Sequence, residues 1–344
     1  LLLYRNVKNY AIGHGCAADW DEKEEKVFSI ETSVFPSYEV KPIVPSVIKG
    51  VSLSMLDMSR DESFDDVVKQ LELLCTKYKS WIDELEKREV PANLHETATR
   101  HIANCRICQK RMENGVHLLS EDKNVKQAFQ WMNEAMLAQQ LHYGLPLQSW
   151  VDDEDGGIRL ENPVKSLPKI NDDSTWFDKD NKVYGKWRPF QLAFILMNLD
   201  SMNNRKSKER KIVDLIWFPT GGGKTEAYLG LSAYTIFIRR LHSRDNSGTA
   251  ILMRYTLRLL TAQQYERAAA VICACELIRK KNIELLGDDE INIGLWVGKE
   301  TTPNHVQDAV SKYNDLKAHK TDSNPFVMLK CPWCGAQMGV VETS

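Results

Sequence analysis

One run of residues, Phe218-Pro219-Thr220-Gly221-Gly222-Gly223-Lys224-Thr225-Glu226, carries the clearest chemistry in this chain. Its glycines let backbone N–H groups approach a phosphate with no Cβ in the way. Lys224 offers a flexible cation to the β- and γ-phosphates of a nucleotide, and the Thr225 hydroxyl offers an oxygen to the accompanying Mg²⁺. We therefore take Thr220, Gly221, Gly222, Gly223, Lys224, Thr225 and Glu226 as the candidate ATP-binding residues, with Lys224 and Thr225 as the catalytic pair. Residues 212–217 read as a buried strand and 225–240 as a helix, the strand–loop–helix context such a loop requires. The helix N-terminus adds unpaired donors and a partial positive charge.

The strict G-x-x-x-x-G-K-[ST] pattern is not met, because Phe218 stands where its first Gly would be. Superfamily 2 helicases relax that position and keep P-T-G-x-G-K-T, and this loop resembles theirs. About 30 residues upstream, Arg188-Pro189-Phe190-Gln191 resembles the R-x-x-Q element with which those proteins read adenine. A Gln amide presents both a donor and an acceptor, as the adenine edge demands. Trp187 or Phe190 either stacks on the base or packs the core. Downstream, Thr256, Arg258 and Gln263 fall in a T-x-R-x-L-x-x-Q pattern that resembles helicase motif Ia. At a helix start, such residues contact a nucleic-acid backbone through charge and donors without reading bases.

Cys331-Pro332-Trp333-Cys334-Gly335 looks like half of a zinc ribbon, a C-x₂-C knuckle closed by glycine. Two further ligands are needed; they come from outside the 344 residues, from Cys105 or Cys108, or from a distant His. His101, Cys105 and Cys108 share one helical face, but Ile102, Met112 and Val116 beside them make that face a packed stripe rather than a metal trio. Cys273 and Cys275 sit among Ala and Ile and are expected to pack. The Cys usage suits a reducing compartment rather than a disulfide scaffold.

Charge is unevenly spread. The 344 residues carry a net charge of −2, yet residues 205–281 hold 15 Lys and Arg against 6 Asp and Glu. Such asymmetry hints at nucleic acid on that part of the chain. Arg205, Lys206, Lys208, Arg210 and Lys211 form a basic loop just before the phosphate loop's strand, which we read as a solvated face ahead of a phosphate contact. No apolar run approaches the ~18 residues of a membrane span, no signal peptide is visible, and a cytoplasmic protein without a membrane partner is expected. The first residue is Leu, so the chain is expected to begin inside a longer protein.

The elements that must position these residues change character along the chain. Residues 1–50 read as the tail of a preceding domain and a linker, with short β-rich runs at 27–30 and 38–40. Residues 51–145 read as a helical domain, with helices at 63–87, 94–119 and 124–142. An acidic linker follows over 146–185. From 186 to 300, helices at 187–198, 225–240 and 257–280 alternate with strands at 212–217, 249–253 and 291–297. This predicts an α/β fold: the first part of a RecA-like lobe, with a P-loop and a parallel sheet covered by helices. Residues 301–344 read as the start of a zinc-ribbon-like insertion.

Taken together, the chain resembles the large helicase subunit of the DISARM antiphage systems of bacteria. The features are Tyr10-Ala11-Ile12-Gly13-His14-Gly15-Cys16-Ala17-Ala18-Asp19-Trp20, Phe35-Pro36-Ser37-Tyr38-Glu39-Val40, the helicase segment 218–267, Gly294-Leu295-Trp296-Val297-Gly298 and the Cys331–Cys334 knuckle. The resemblance implies an ATP-dependent motor on DNA, working with a second DISARM subunit and a methyltransferase. Hydrolysis would also need a carboxylate pair after an apolar strand. Asp288-Asp289-Glu290 follows Gly287 in a turn-like context and does not meet that description. This segment is thus expected to bind nucleotide without turning it over. Restriction-type translocation along duplex and a nucleotide-gated DNA-binding scaffold are the competing readings.

Overall fold

The computed structural model describes residues 2, 5, 8–24, 26–33, 47–161, 185–217, 222–255, 258–298, 302–321 and 326–340, without the side chains of 258–262. Strands β1 (Ala17–Lys23) and β2 (Lys26–Ser33) form an antiparallel hairpin. Helices α1 (Met55–Ser59), α2 (Phe64–Glu86), α3 (His95–Glu121) and α4 (Lys123–Tyr143) follow. A small antiparallel pair, β3 (Trp150–Asp152) and β4 (Ile158–Leu160), precedes α5 (Pro189–Asn203). The remainder holds α6 (Lys224–His242), α7 (Arg258–Lys281), α8 (Ile283–Leu286) and α9 (Val306–Lys317).

The chain divides into two compact units. One comprises Leu1–Pro45 and Tyr78–Gln109, the other Ser46–Lys77 and Lys110–Ser344. In the first, Arg106 holds Glu86 at 2.9 Å and also pairs with Asp83, tying α3 to α2. Burial pushes the Tyr78 hydroxyl up, reinforced by Cys105 and Cys108, so those thiols face an aromatic neighbour on α2. His101 is exposed there, Cys105 and Cys108 are half-buried, and Met112 and Val116 further along α3 are buried.

The second unit is built around α4. Asp122 caps its N-terminus, accepting from the N–H groups of Asn124 and Val125 at 2.8 and 3.2 Å. Its apolar residues do not keep to one stripe: Ala128, Phe129, Trp131, Met132, Ala135, Met136 and Leu137 are all buried. A helix buried on several sides is central, and α1, α6 and α7 pack against α4, with α5 against α6. Gly115 of α3 lets that helix approach closely, since a Cβ there would stand 2.2 Å from the Leu196 carbonyl oxygen of α5.

The long helices lie where hydrophobic periodicity predicts them, to within a few residues except for the longer C-terminal end of α5. The acidic stretch 152–157, read as linker, is the tip of the β3–β4 hairpin. There the Asp153 N–H donates to the Gly157 carbonyl at 2.8 Å, and Gly156 takes a φ of +78°. Helix α9 lies where the sequence suggested only an insertion.

The expected parallel sheet is not seen among the described residues. Segments 212–217, 249–253 and 291–297 are irregular chain without ladder partners there, where the sheets are the β1–β2 and β3–β4 pairs. Apolar side chains that should be covered stand in solvent: Val213 is 93% exposed, Leu215 85% and Trp296 99%. The physical reason is that a parallel strand needs neighbours from distant parts of the chain, which local hydrophobicity cannot supply. Of these, 249–253 and 291–297 instead border a cavity of about 1040 Å³ against α6 and α7.

Candidate nucleotide site

Three pieces of backbone set the frame. The N–H of Met55 donates to Gly185 at 2.7 Å and that of Trp187 to Leu53 at 2.9 Å, anchoring the chain just before α5. Trp187 is then buried, its Nε1 donating to Asn133 Oδ1 of α4 at 2.7 Å. Gly230 of α6 makes room for it: a Cβ there would lie 2.7 Å from Trp187 Cη2. Of the two roles open to Trp187, core packing is the one observed. With its donor consumed by Asn133, the indole pins the start of α5 to α4.

Arg188 and Gln191, at the first turn of α5, reach the phosphate loop. Arg188 Nη1 donates to the Gly222 carbonyl at 2.6 Å, and Gln191 Nε2 donates to the Gly223 carbonyl at 2.7 Å. Gln191 Oε1 accepts from the Arg188 N–H at 2.8 Å, closing a capping box on α5. Gly223 caps α6 with φ +84° and ψ +28°. The positive φ demands glycine, and a Cβ there would stand 2.7 Å from Gln191 Nε2, so a side chain would displace that amide from the loop. The two motifs, 30 residues apart in sequence, are thus one hydrogen-bonded unit.

Lys224 and Thr225 open α6 and are half-buried. Glu226, next in line, pairs with Arg267 of α7, which lies over the Tyr143 ring at 5.9 Å. Both partners are 22% exposed, so the pair holds the first turn of α6 against α7. Thr220 and Gly221 lie outside the described residues, as does Thr256. Arg258 begins α7, its side chain outside the described set, and Gln263 is exposed on the same helix. Asp288, Asp289 and Glu290 are exposed and lie at the opposite end of α6 from Lys224, where Arg240 Nη2 donates to the Asp289 carbonyl at 3.1 Å.

One contact was invisible in the sequence. Arg111 of α3 forks onto Asp214, with Nη1 to Oδ1 at 2.6 Å and Nη2 to Oδ2 at 2.8 Å, and its Nε reaches Glu209 at 3.1 Å. Arg111 holds the Asp214 carboxyl below its usual range. Asp214 sits in the segment that runs into the phosphate loop, so α3 holds that segment by a planar, two-point clamp. A separation of about a hundred residues leaves no local signal for it.

The Cys331–Cys334 turn is docked on the chain that follows α4. Gly335 donates its N–H to the Cys331 carbonyl at 3.0 Å, while the Gln148 N–H donates to Gly335 at 2.8 Å. His142 stacks on Trp333 with ring centroids 3.6 Å apart, and burial pushes its imidazole pKa down. Burial likewise pushes the Cys334 thiol up, against an opposing hydrogen bond from the Ala336 backbone. Cys273 of α7 feels the two knuckle thiols, which add to the upward push of its own burial. Among the described residues no group of three or more His, Cys, Asp or Glu could hold a metal ion.

No family model matches the chain. It is 34% identical over 357 aligned positions to the DISARM protein DrmA of Bacillus paralicheniformis, a match covering 97% of this chain and 30% of that relative. The chain thus spans under a third of the relative's length. It is a DrmA-like sequence nearly from end to end, corresponding to one segment of a DISARM subunit of that kind.

Proposed function

We propose that this chain contributes the ATP-binding part of a DNA-dependent motor, a helicase or translocase, in a bacterial antiphage defence assembly. The observation that carries the reading is the unit of Arg188, Gln191, Gly222 and Gly223 at the start of α6. It holds Gly223 in a left-handed conformation that favours glycine and presents a helix N-terminus at Lys224 and Thr225. These residues fit a nucleotide triphosphate: the helix N-terminus and Lys224 meet its phosphates, Thr225 meets its Mg²⁺, and Gln191 lies at the edge where a base is read. Bound Mg²⁺ neutralises charge on the transferring phosphate. Gln191 must release the Gly223 carbonyl to use its amide on adenine, which makes base recognition and loop conformation exclusive states of one side chain.

In this reading 212–217, 249–253 and 291–297 are strands of a RecA-like sheet, and the segment around Thr256, Arg258 and Gln263 meets the DNA backbone. The Cys331–Cys334 thiols form half of a zinc site. A second DISARM subunit and a methyltransferase are the partners, in the cytoplasm. Among the described residues no helix is long and apolar enough to cross a membrane. The Arg111–Asp214 clamp favours one alternative, a nucleotide-gated scaffold, because it links the loop's approach segment to α3 without any catalytic acid.

The deciding measurement is ATP hydrolysis by the full-length polypeptide with and without single-stranded DNA, beside Lys224→Ala. DNA-stimulated turnover that falls at least about 100-fold in the variant supports the motor. Nucleotide binding without stimulated turnover supports the scaffold. Turnover untouched by the substitution removes the phosphate loop from both readings.

A further inference from the structure

The turn between α5 and the phosphate loop's approach segment has a one-sided charge distribution. Arg205, Lys206, Lys208, Arg210 and Lys211 are all exposed. The acids of this stretch are both turned inward. Asp200 Oδ2 accepts from Ser207 Oγ at 2.5 Å, and Glu209 Oε2 accepts from Arg111 Nε at 3.1 Å. Among the described residues, no carboxylate pairs with Arg205, Lys206, Lys208 or Lys211. The turn is also stiff: Ser207 N–H donates to Asn204 at 3.0 Å, Arg210 Nη1 to the Ser201 carbonyl at 2.7 Å, and Ile212 N–H to Glu209 at 2.9 Å. A sequence reading counts six charges of mixed sign over 205–211; the fold presents five of one sign.

Its location matters as much as its charge. His242, the last residue of α6, holds Asn203 at 2.8 Å, so the turn lies at the C-terminal end of α6. Lys224 begins the same helix of 19 residues, placing the turn about 28 Å from it at the helical rise. The Thr249 carbonyl accepts from Arg239 near the C-terminal end of α6 at 2.9 Å, while Tyr255 lies near Tyr228 and Arg267, so the 249–255 segment runs back from the turn toward the Lys224 end of α6. Complementing the negative end of the α5 dipole accounts for one or two cations beyond Asn203, not five.

We propose that the 205–211 turn is a second contact for the DNA phosphate backbone, remote from the candidate nucleotide site at the start of α6. The proposal rests on the reading of the protein as DNA-dependent and adds a site to it. Duplex DNA carries one charge per about 1.7 Å of axis, so a rigid row of five cations meets several phosphates at once. Contacts of this kind orient and retain the duplex without reading sequence. Glu209 is part of the arrangement: with Arg111 holding it inward, the outer face keeps a single sign.

The test uses the full-length polypeptide carrying Arg205→Glu, Lys206→Glu, Lys208→Glu and Lys211→Glu together. Arg210 is spared because it holds the Ser201 carbonyl. A parallel protein has Gln at the same four positions, so that a failure of the Glu version to fold leaves a milder one to measure. Binding to a fluorescent duplex of about 20 base pairs with a single-stranded tail is followed by anisotropy over a range of salt, and ATP binding is measured separately. The expected result is a salt dependence shallower by about 2 to 4 in log–log slope and an affinity at least about 10-fold weaker at 0.1 M salt, with ATP binding retained. Unchanged affinity and slope overturn the inference alone. DNA binding unchanged with loss of binding to polyglutamate also overturns it, in favour of an acidic protein partner. Absence of DNA binding by the unsubstituted polypeptide overturns the DNA-dependent reading together with the inference.

Discussion

Arg111 is the residue with the most to lose. Its guanidinium is 6% exposed and spends three nitrogens on Asp214 and Glu209, so removing it strands two carboxylates in a partly dry place. Breaking such a pair costs about 3 kcal/mol where burial is deep; with the acids about one-fifth exposed, about 2 kcal/mol is the fair expectation for Arg111→Ala. Denaturant unfolding checks the magnitude, and Asp214→Asn in the Arg111→Ala background is expected to recover part of the loss. A further decrease in the double variant would mean that Asp214 has another role. The Gln191 amide is a different case. The R-x-x-Q spacing marked it as a candidate, but its attachment to the Gly223 carbonyl was not legible, because a hydrogen bond between distant segments leaves no periodic trace.

At the scale of elements, packing explains the glycines that matter. Gly230 lies mid-helix in α6, a position that lowers helix propensity, and it is there because the Trp187 ring and Ile195 Cδ1 already fill the space. Gly230→Val is therefore expected to destabilise by about 1–3 kcal/mol through overpacking. The check is a lowered unfolding midpoint together with a changed emission from Trp187; a midpoint equal to that of the parent would show that α5 and α6 can move apart freely. The long helices were readable because apolar residues recur every three to four positions within one segment, even in α4, where they spread beyond one stripe. The hairpin at 150–160 was not, since its strands are three residues each and its acidic tip resembles any solvated loop.

For the whole molecule, the open question is what covers the irregular segments. Trp217 is 75% exposed and Trp296 is 99% exposed, a costly display of aromatic surface. If the sheet proposed above forms in the full-length polypeptide, a protein retaining Trp296 as its reporter is expected to emit at shorter wavelength there than in the 344-residue chain. Equal emission from both would count against a sheet at that segment. The same scale governs charge: a chain of net charge −2 carries a turn with five exposed cations only because its acids at 200 and 209 are folded inward.

By itself, the sequence determined what depends on near neighbours: the helices through their apolar spacing, and the glycine run before Lys224 and the Cys331–Cys334 pair as candidates for chemistry. Its likeness to the DISARM protein DrmA was also carried by contiguous runs. Tertiary structure alone decided that Gln191 and Arg188 hold the phosphate loop, that Trp187 packs on Gly230 and that Arg111 clamps Asp214. It also left 212–217, 249–253 and 291–297 without ladder partners among the described residues. These outcomes depend on which distant groups compete for the same carbonyl, carboxylate or space. Such competition is settled by geometry in three dimensions, and no local pattern of residues encodes it.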